Sequence, residues 1–477
     1  MREGRGDDQS DPGAAPSEVT RGLLMGMVSR GPLRTVTQQH SNAGQLSAGD
    51  GRVRGSGKLG AAVTGLAVAV GLVVAPPAAY AKPAPPEPAV LIAGAAPGLP
   101  IPSAAFGQHV AGIARAVPAG VKLTSIRLWD AGTRWDQIET ARDVYAWGTL
   151  DAAVDNAEAA GAKAILYVLG STPQWAARDP AIPGLYGPGS TSLPRKSSDY
   201  VDFARKVAKR YKGRITAYQI WNEANTRSFY EGDWTALAKL TRRTHDAIKQ
   251  VDPKAQVVAA SSTVIPGRSF QTESFFVRYA RALHKVGDPV DAFSVHLYPV
   301  DTSKGPDARV RAIVATQRVL NKVGSDRPVW DTEVNYGDRR AGLPRVVPDS
   351  NQATTYVART YIDAATLGVA RSYWYGWDLG VLGIDLTDAQ GITPAGRSFL
   401  TTRDWLTDAR PAGCQNSGAL RSCHFTGPAG RPFTIMWSSK ANTTVDAGGL
   451  KVCRLDGNCT RGTRKLLVDS QPILLRR

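Results

Sequence analysis

A chain of 477 residues has room for two or three domains. It carries 58 Lys and Arg against 41 Asp and Glu, a net charge of +17, yet no nucleic-acid motif accompanies that charge. One apolar run near the N-terminus approaches membrane-spanning length and no other does, which excludes a multi-span membrane protein.

Residues 1–57 are polar, rich in Gly, Arg and Ser, and lack apolar periodicity. They read as disordered, or as sequence upstream of the true start, with Met25 or a later position as the initiator. Lys58 then precedes the apolar run Leu59 to Ala75, closed by Pro76-Pro77 and followed by Ala79-Tyr80-Ala81. A charged flank, an apolar core and an Ala-x-Ala site make residues 58–81 a secretory signal, with a single membrane anchor as the alternative. The Pro- and Ala-rich residues 82–100 read as a semi-rigid linker. Residues 1–81 hold eight Lys/Arg and six Asp/Glu, which leaves +15 on the exported part. Export argues against nucleic acid as the partner of that charge. An anionic extracellular or cell-wall polymer fits it, and so does a basic surface with no partner.

Residues 101–407 alternate between two textures. Strands are expected at Ala104 to His109, Ser125 to Asp130, Ala164 to Leu169, Ala217 into Trp221-Asn222-Glu223, Val257 to Ser261, Ala292 to Tyr298, Pro328 into Thr332-Glu333, and Arg371 to Trp377. Helical spacing marks Trp147 to Ala160, Tyr200 to Tyr211, Asp233 to Gln250, Ala308 to Val323, Gln352 to Leu367 and Pro394 to Leu406, with Asp233 as an N-cap. Eight alternations in roughly 300 residues fit an α/β chain folded as a (β/α)8 TIM barrel.

Residues 408–477 form a separate small β domain. Phe433 to Trp437, Leu450 to Val452 and Gln471 to Leu475 are short strand-like runs between Gly and Asn turns. All four cysteines, Cys414, Cys423, Cys453 and Cys459, lie here. In an exported chain such an even, clustered set reads as two disulfides, with Cys414–Cys423 and Cys453–Cys459 the simplest of three connectivities. Zinc is disfavoured, because the spacings are wrong and His424 is the only nearby His. Eleven Lys/Arg against four Asp/Glu make this region a candidate anchor on an anionic wall polymer.

Two carboxylates stand out. Trp221-Asn222-Glu223 closes the fourth strand and Thr332-Glu333 the seventh, 110 residues or about three strand-helix units apart. In a parallel barrel the C-terminal strand ends carry the catalytic groups. The pair resembles the large clan of retaining glycoside hydrolases built on (β/α)8 barrels. Within it the chain resembles family 39 above all, which includes bacterial endoglycosidases acting on exopolysaccharides, and family 5 next. The resemblance extends from about Phe106 to the C-terminus. Ser171-Thr172-Pro173-Gln174-Trp175-Ala176 resembles the Thr-Pro-x-Trp-Ala loop after strand three of family 39-like enzymes. The terminal region resembles the β-sandwich that follows their barrel, with the last run as its closing strand.

The resemblance implies roles. Glu223 would be the acid/base and Glu333 the nucleophile of a double displacement, their carboxyl groups about 5–5.5 Å apart. Glu223 must stay protonated near neutral pH, through desolvation or the charge of Glu333; Glu333 must stay ionised, aided by donors such as Tyr298 or Arg127. Asn222 would hydrogen-bond the sugar 2-hydroxyl. His296 and Tyr298 would flank the nucleophile, and Arg127 would orient it as an arginine does in family 5. Trp374 matches the clan's sugar-stacking tryptophan, with Trp377 as its neighbour or as core. A core histidine, a structural salt bridge and ordinary aromatic packing are the alternatives. Among Trp129, Trp135, Trp175 and Trp234, Trp175 is the first candidate for a subsite platform. The Pro- and Gly-rich loop Arg178 to Ser198 would wall one side of a cleft. No His-Glu-x-x-His and no Asp-rich calcium loop appears, and the chemistry requires neither metal nor cofactor. The expectation is a secreted, endo-acting hydrolase of polysaccharide or oligosaccharide substrates. An exo-acting β-xylosidase-like glycosidase and an inactive carbohydrate-binding barrel are the alternatives.

Overall fold

The computed structural model describes residues 98–477 apart from 119, 264–273, 300, 302, 343 and 441. The expected segments 1–57 and 58–81, and all but the end of the linker 82–100, lie outside the described residues.

Eight parallel strands build the larger part: β1 (Phe106–His109), β2 (Ser125–Leu128), β3 (Ala164–Val168), β4 (Ala217–Gln219), β5 (Gln256–Val258), β6 (Phe293–His296), β7 (Val329–Val334) and β8 (Val369–Tyr375). Their order around the sheet is β5-β4-β3-β2-β1-β8-β7-β6. β5 resumes as a second piece, Ser262–Thr263, which pairs with β6, and Val258 bridges to Ala292 just before β6. The sheet therefore closes on itself as a (β/α)8 barrel. Its outer helices are α1 (Gly148–Ala159), α2 (Ser197–Arg210), α3 (Trp234–Val251), α4 (Phe275–Lys285), α5 (Pro306–Val323), α6 (Ser350–Thr366) and α7 (Pro394–Leu406). Among the described residues, turns over 111–115 and no helix connect β1 to β2. α4 is an element for which the sequence reading had no expectation. Its buried Phe276, Val277, Tyr279, Ala280 and Leu283 follow helical spacing. Asp233 caps α3 as expected, its side chain accepting from Ala236 N.

Period-two alternation divides the strand residues between lumen and helices. Leu166, Ala217, Val258, Ala292, Trp330 and Tyr373 meet inside the barrel, while their strand neighbours join the larger core under the helices. Gly107 is dictated by this packing: a Cβ there would stand 2.2 Å from the Tyr373 ring. A floor of apolar side chains thus fills the lower barrel and leaves its C-terminal mouth to polar ones.

The C-terminal strands form a six-stranded antiparallel sheet and a two-stranded one that share a core of Ala447, Val452, Val468, Ile473 and Leu475. The final run, Ile473–Arg476, does not close an edge. It lies in the middle, between Pro432–Ser438 and Lys451–Cys453. Cys414–Cys423 and Cys453–Cys459 are the disulfides, each joining direct partners on adjacent strands. The sheet packs on the barrel: Phe425, Ile435 and Trp437 belong to the barrel's own core, and Arg359 of α6 lies 4.5 Å above the Trp437 ring.

Candidate active site

Arg127, an inward residue of β2, is wholly buried at the barrel mouth. Its Nη1 donates to Glu333 Oε1 at 2.6 Å, Nη2 to Asn222 Oδ1 at 2.7 Å and Nε to Gln219 Oε1 at 3.1 Å. A rigid fork of five donors suits three acceptors at fixed angles.

Neighbouring residues of an extended strand face opposite ways, so Asn222 and Glu223 cannot both reach the lumen from one. β4 stops at Gln219, and Glu223 adopts φ +41°. This left-handed turn costs on the order of 1–3 kcal/mol and aims both side chains at the mouth. Glu223 N donates to Ser261 Oγ at 2.8 Å and Ala224 N to Ser261 O at 3.0 Å, which ties the turn to the end of β5.

β7 solves the same problem with a bulge. Trp330 and Thr332 face the lumen, and Thr332 Oγ1 lies 2.6 Å from Ser294 Oγ. Asp331 faces α5, where Arg309 donates to it at 2.6 and 2.9 Å. Strict alternation would send Glu333 outward with Asp331. The register slips between Asp331 and Glu333 against β6, and between Asp331 and Val334 against β8. Bulges of this kind re-aim a side chain, and Glu333 returns to the mouth as the register partner of His296.

His296 Nδ1 stands 2.9 Å from Glu223 Oε1 and 3.3 Å from Glu333 Oε2. Tyr298 donates its hydroxyl to Glu333 Oε2 at 3.0 Å. One oxygen of each glutamate and a ring nitrogen of His296 lie within 4.8 Å of one another. Both glutamates are buried. This donor set is compact enough for a cation, but Arg127 already brings a positive charge to Glu333, so the arrangement is accounted for without one.

Electrostatics separate the two acids. Burial lifts Glu223 to about 7, opposed by a hydrogen bond with the Thr263 side chain and by the charge of Arg127. Burial pushes Glu333 up as well. Positive charge on His296 would oppose that, but burial has pulled the ring itself down to about 3, so it is neutral. Arg127 opposes it in every protonation state, at contact distance. Of the pair, Glu333 therefore has the stronger claim to the negative charge.

The structure brings Arg127, Asn222, Glu223, His296, Tyr298 and Glu333 together and leaves two expected residues apart. Trp374 is wholly buried in the core under the helices, its Nε1 donating to Ile384 O at 3.4 Å. On β8 the lumen-facing residues are Tyr373 and Tyr375, so Trp374 has the wrong parity to stack on a sugar. Trp175 donates its Nε1 to Glu139 O at 2.9 Å, and Arg142 covers its ring at 4.9 Å. It packs against the hairpin formed by Glu139–Ala141 and Val144–Tyr145. Trp377 and Trp135 are core residues.

Sequence reasoning missed a second cluster. Asp130, just beyond β2, accepts hydroxyl hydrogen bonds from Tyr186 at 2.8 Å and Tyr375 at 3.0 Å. Burial raises its carboxyl, against the neighbouring Arg134. Tyr186 comes from the loop Arg178 to Ser198 and brings it against Asp130. The one available signal was parity: Tyr375 is the register partner of His109, which ends β1 facing the same way, and their rings stand 4.6 Å apart.

The sequence pattern of Cellulase (glycosyl hydrolase family 5) matches residues 125–380, more than half of the chain. The chain belongs to glycosyl hydrolase family 5. The match runs from β2 to just beyond β8 and takes in both glutamates, so this family 5 protein is a glycoside hydrolase. Solved structures share its fold at low identity. A family 39 glycoside hydrolase from the gut symbiont Bacteroides cellulosilyticus WH2 is 18% identical, over 79% of this chain and 81% of that one, with a TM-score of 0.60. A monomeric β-xylosidase from Caulobacter crescentus CB15 is 18% identical over 80% and 97%, with a TM-score of 0.56. A family 30 endoxylanase from Clostridium papyrosolvens C71 is 12% identical over 81% and 97%, with a TM-score of 0.52. No curated protein sequence matches the chain. Among the described residues no helix is long and apolar enough to cross a membrane.

Proposed function

We propose that this family 5 protein is a secreted, retaining hydrolase that cleaves O-glycosidic bonds within a polysaccharide. One observation carries the mechanism: two buried glutamates bring an oxygen of each to within 4.8 Å of the other, a close approach that fits the carboxyl pair of a retaining enzyme, about 5–5.5 Å apart, better than the wider pair of an inverting one, roughly 6.5–9.5 Å apart. Glu333 attacks the anomeric carbon while Glu223 gives its proton to the leaving oxygen. The glycosidic bond breaks and a glycosyl ester of Glu333 forms. Glu223, now a carboxylate, takes a proton from water, whose oxygen attacks the same carbon and releases Glu333. Two inversions give net retention. Arg127 and Tyr298 hold the charge of Glu333 when it is free, and Asn222, fixed by Arg127, presents its amide to the 2-hydroxyl.

Two disulfides and the signal-like residues 58–81 support secretion. Endo action is supported by a cavity of about 360 Å³ beside the loop that follows Glu223, room for further sugar units. Exo action, as in a β-xylosidase-like enzyme, has its own support: the Tyr186–Asp130 hydrogen bond ties two mouth loops together beside Glu333. Wild type, Glu223→Gln and Glu333→Gln are assayed on a panel of polysaccharides and aryl glycosides, following viscosity against reducing ends and the product anomer by NMR. Retained configuration and loss of activity in both variants are expected. Activity surviving in Glu333→Gln overturns the double displacement, and a viscosity that falls only in step with reducing ends overturns endo action.

A further inference from the structure

Two cavities meet at Trp234. One, of about 360 Å³, opens off the loop that follows Glu223 and reaches the loop after β3. The other, of about 380 Å³, runs between α3 and α4. Lys239, Arg278, Arg281 and Lys285 line it, and no Asp or Glu among the described residues does. The three α4 residues recur three and four apart, so they stand on one face of the helix. Ala238 and Ala282 keep the groove open between them. Arg278 lies 4.5 Å from the Trp234 ring centroid, and Phe275 meets the same ring edge-on at 6.2 Å.

The first cavity has two carboxylates, and both are engaged: Glu231 pairs with Arg227, and Asp233 caps α3. Lys239 is exposed, as is Lys285, and neither has a carboxylate partner among the described residues. Arg178 and Arg227 balance those two carboxylates, so the excess positive charge of the track lies in the groove between α3 and α4, with aromatic rings at its head. A general acid stands on the leaving-group side of the bond it breaks. A track that starts at Ala224, directly after the acid, runs next to that side.

We propose that the track from the Glu223 loop over Trp234 to Lys285 binds the leaving-group arm of an anionic glycan, a polysaccharide bearing carboxylate, sulfate or phosphate groups. The proposal rests on Glu223 being the acid. Aromatic rings meet sugar faces and the cations meet the charges between them.

The test is affinity electrophoresis of the full chain through gels containing alginate, dextran sulfate, a poly(glycerol phosphate) or neutral dextran, with duplex DNA as a further polyanion. The full chain, Lys239→Glu/Lys285→Glu and the milder Lys239→Gln/Lys285→Gln are compared. At least one of the three charged glycans should be retained, with a dissociation constant about tenfold weaker in the double charge reversal and an intermediate loss in the glutamine pair. The glycan retained names the anionic group. Neutral dextran should not be retained. Equal retention of parent and both variants on every charged glycan overturns the proposal. So does DNA bound as tightly as the best glycan and lost in the same variants. Glu223→Gln should bind as the parent does. Hydrolysis surviving in Glu223→Gln would overturn the acid assignment instead, whatever the gels show.

Discussion

Glu223 is the residue where fold and chemistry conflict. Its carboxyl prefers to be neutral, at about 7 against an ordinary 4.5. As pH rises from about 4.5 the unfolded chain gives up this proton while the folded chain keeps it, so stability falls through that window and the deficit is complete above about 7. Glu223→Gln removes the burden. It should be more stable than wild type at pH 8, by about 3 kcal/mol, and match it below pH 4. Calorimetry at the two pH values checks this, and a gap of equal size at both would refute it. On the mechanism proposed, the same proton sets the basic limb: kcat/KM should fall as pH rises through about 7. Arg127 governs the other limb. Arg127→Met leaves Glu333 buried without its cation, so the acid limb should move to higher pH, with about a hundredfold loss of kcat near pH 6. A variant whose acid limb stays in place would show that Arg127 acts only through packing.

At the level of elements, the strand ends decide which side chains reach the mouth. The pair Glu223 and Glu333 was legible because each polar residue interrupts an apolar strand at its end. Their aim was not legible. It depends on a left-handed turn after β4 and a register slip in β7, and neither has a residue signature: no glycine marks the turn and no proline the bulge. Trp374 was misplaced for a related reason. Tyr373-Trp374-Tyr375 puts an aromatic on both faces of β8, and only the pairing of Tyr373 with Gly107 sets the phase. The contrast is testable. Tyr375→Phe removes a donor from Asp130 and should raise KM while changing stability by about 1 kcal/mol. Trp374→Phe should leave KM unchanged and cost about 1–3 kcal/mol. A reversed pattern would return Trp374 to the site. The bulge itself leans on Arg309, which also donates to Thr360 O and Ser372 Oγ. Arg309→Met strands Asp331 in the core and should cost about 3–5 kcal/mol in urea unfolding.

Over the whole molecule, the barrel was readable from alternation, and the disulfide pairing from proximity in sequence. The place of the last strand was not, since antiparallel order is set by long-range pairing that short runs do not encode. The disulfides span separations of 9 and 6 residues, and each should contribute about 2–3 kcal/mol by the chain-entropy account. Cys414→Ser/Cys423→Ser should therefore lower the melting temperature and leave kcat at 25 °C unchanged, because every group at the mouth belongs to the barrel. A variant that melts normally but loses kcat would tie the small sheet to catalysis.

β5 carries neither glutamate, yet it is the spacer between them. Its first piece pairs with the strand before Glu223, its second with the strand that positions His296 opposite Glu333, and Ser261 holds the Glu223 turn in between. The gap across which the anomeric carbon would fit is thereby measured out by residues 256–263. On the mechanism proposed, the handedness of the released sugar is a property of a strand that never touches it. Lengthening that strand by a residue would be the way to ask whether one barrel can be made to invert.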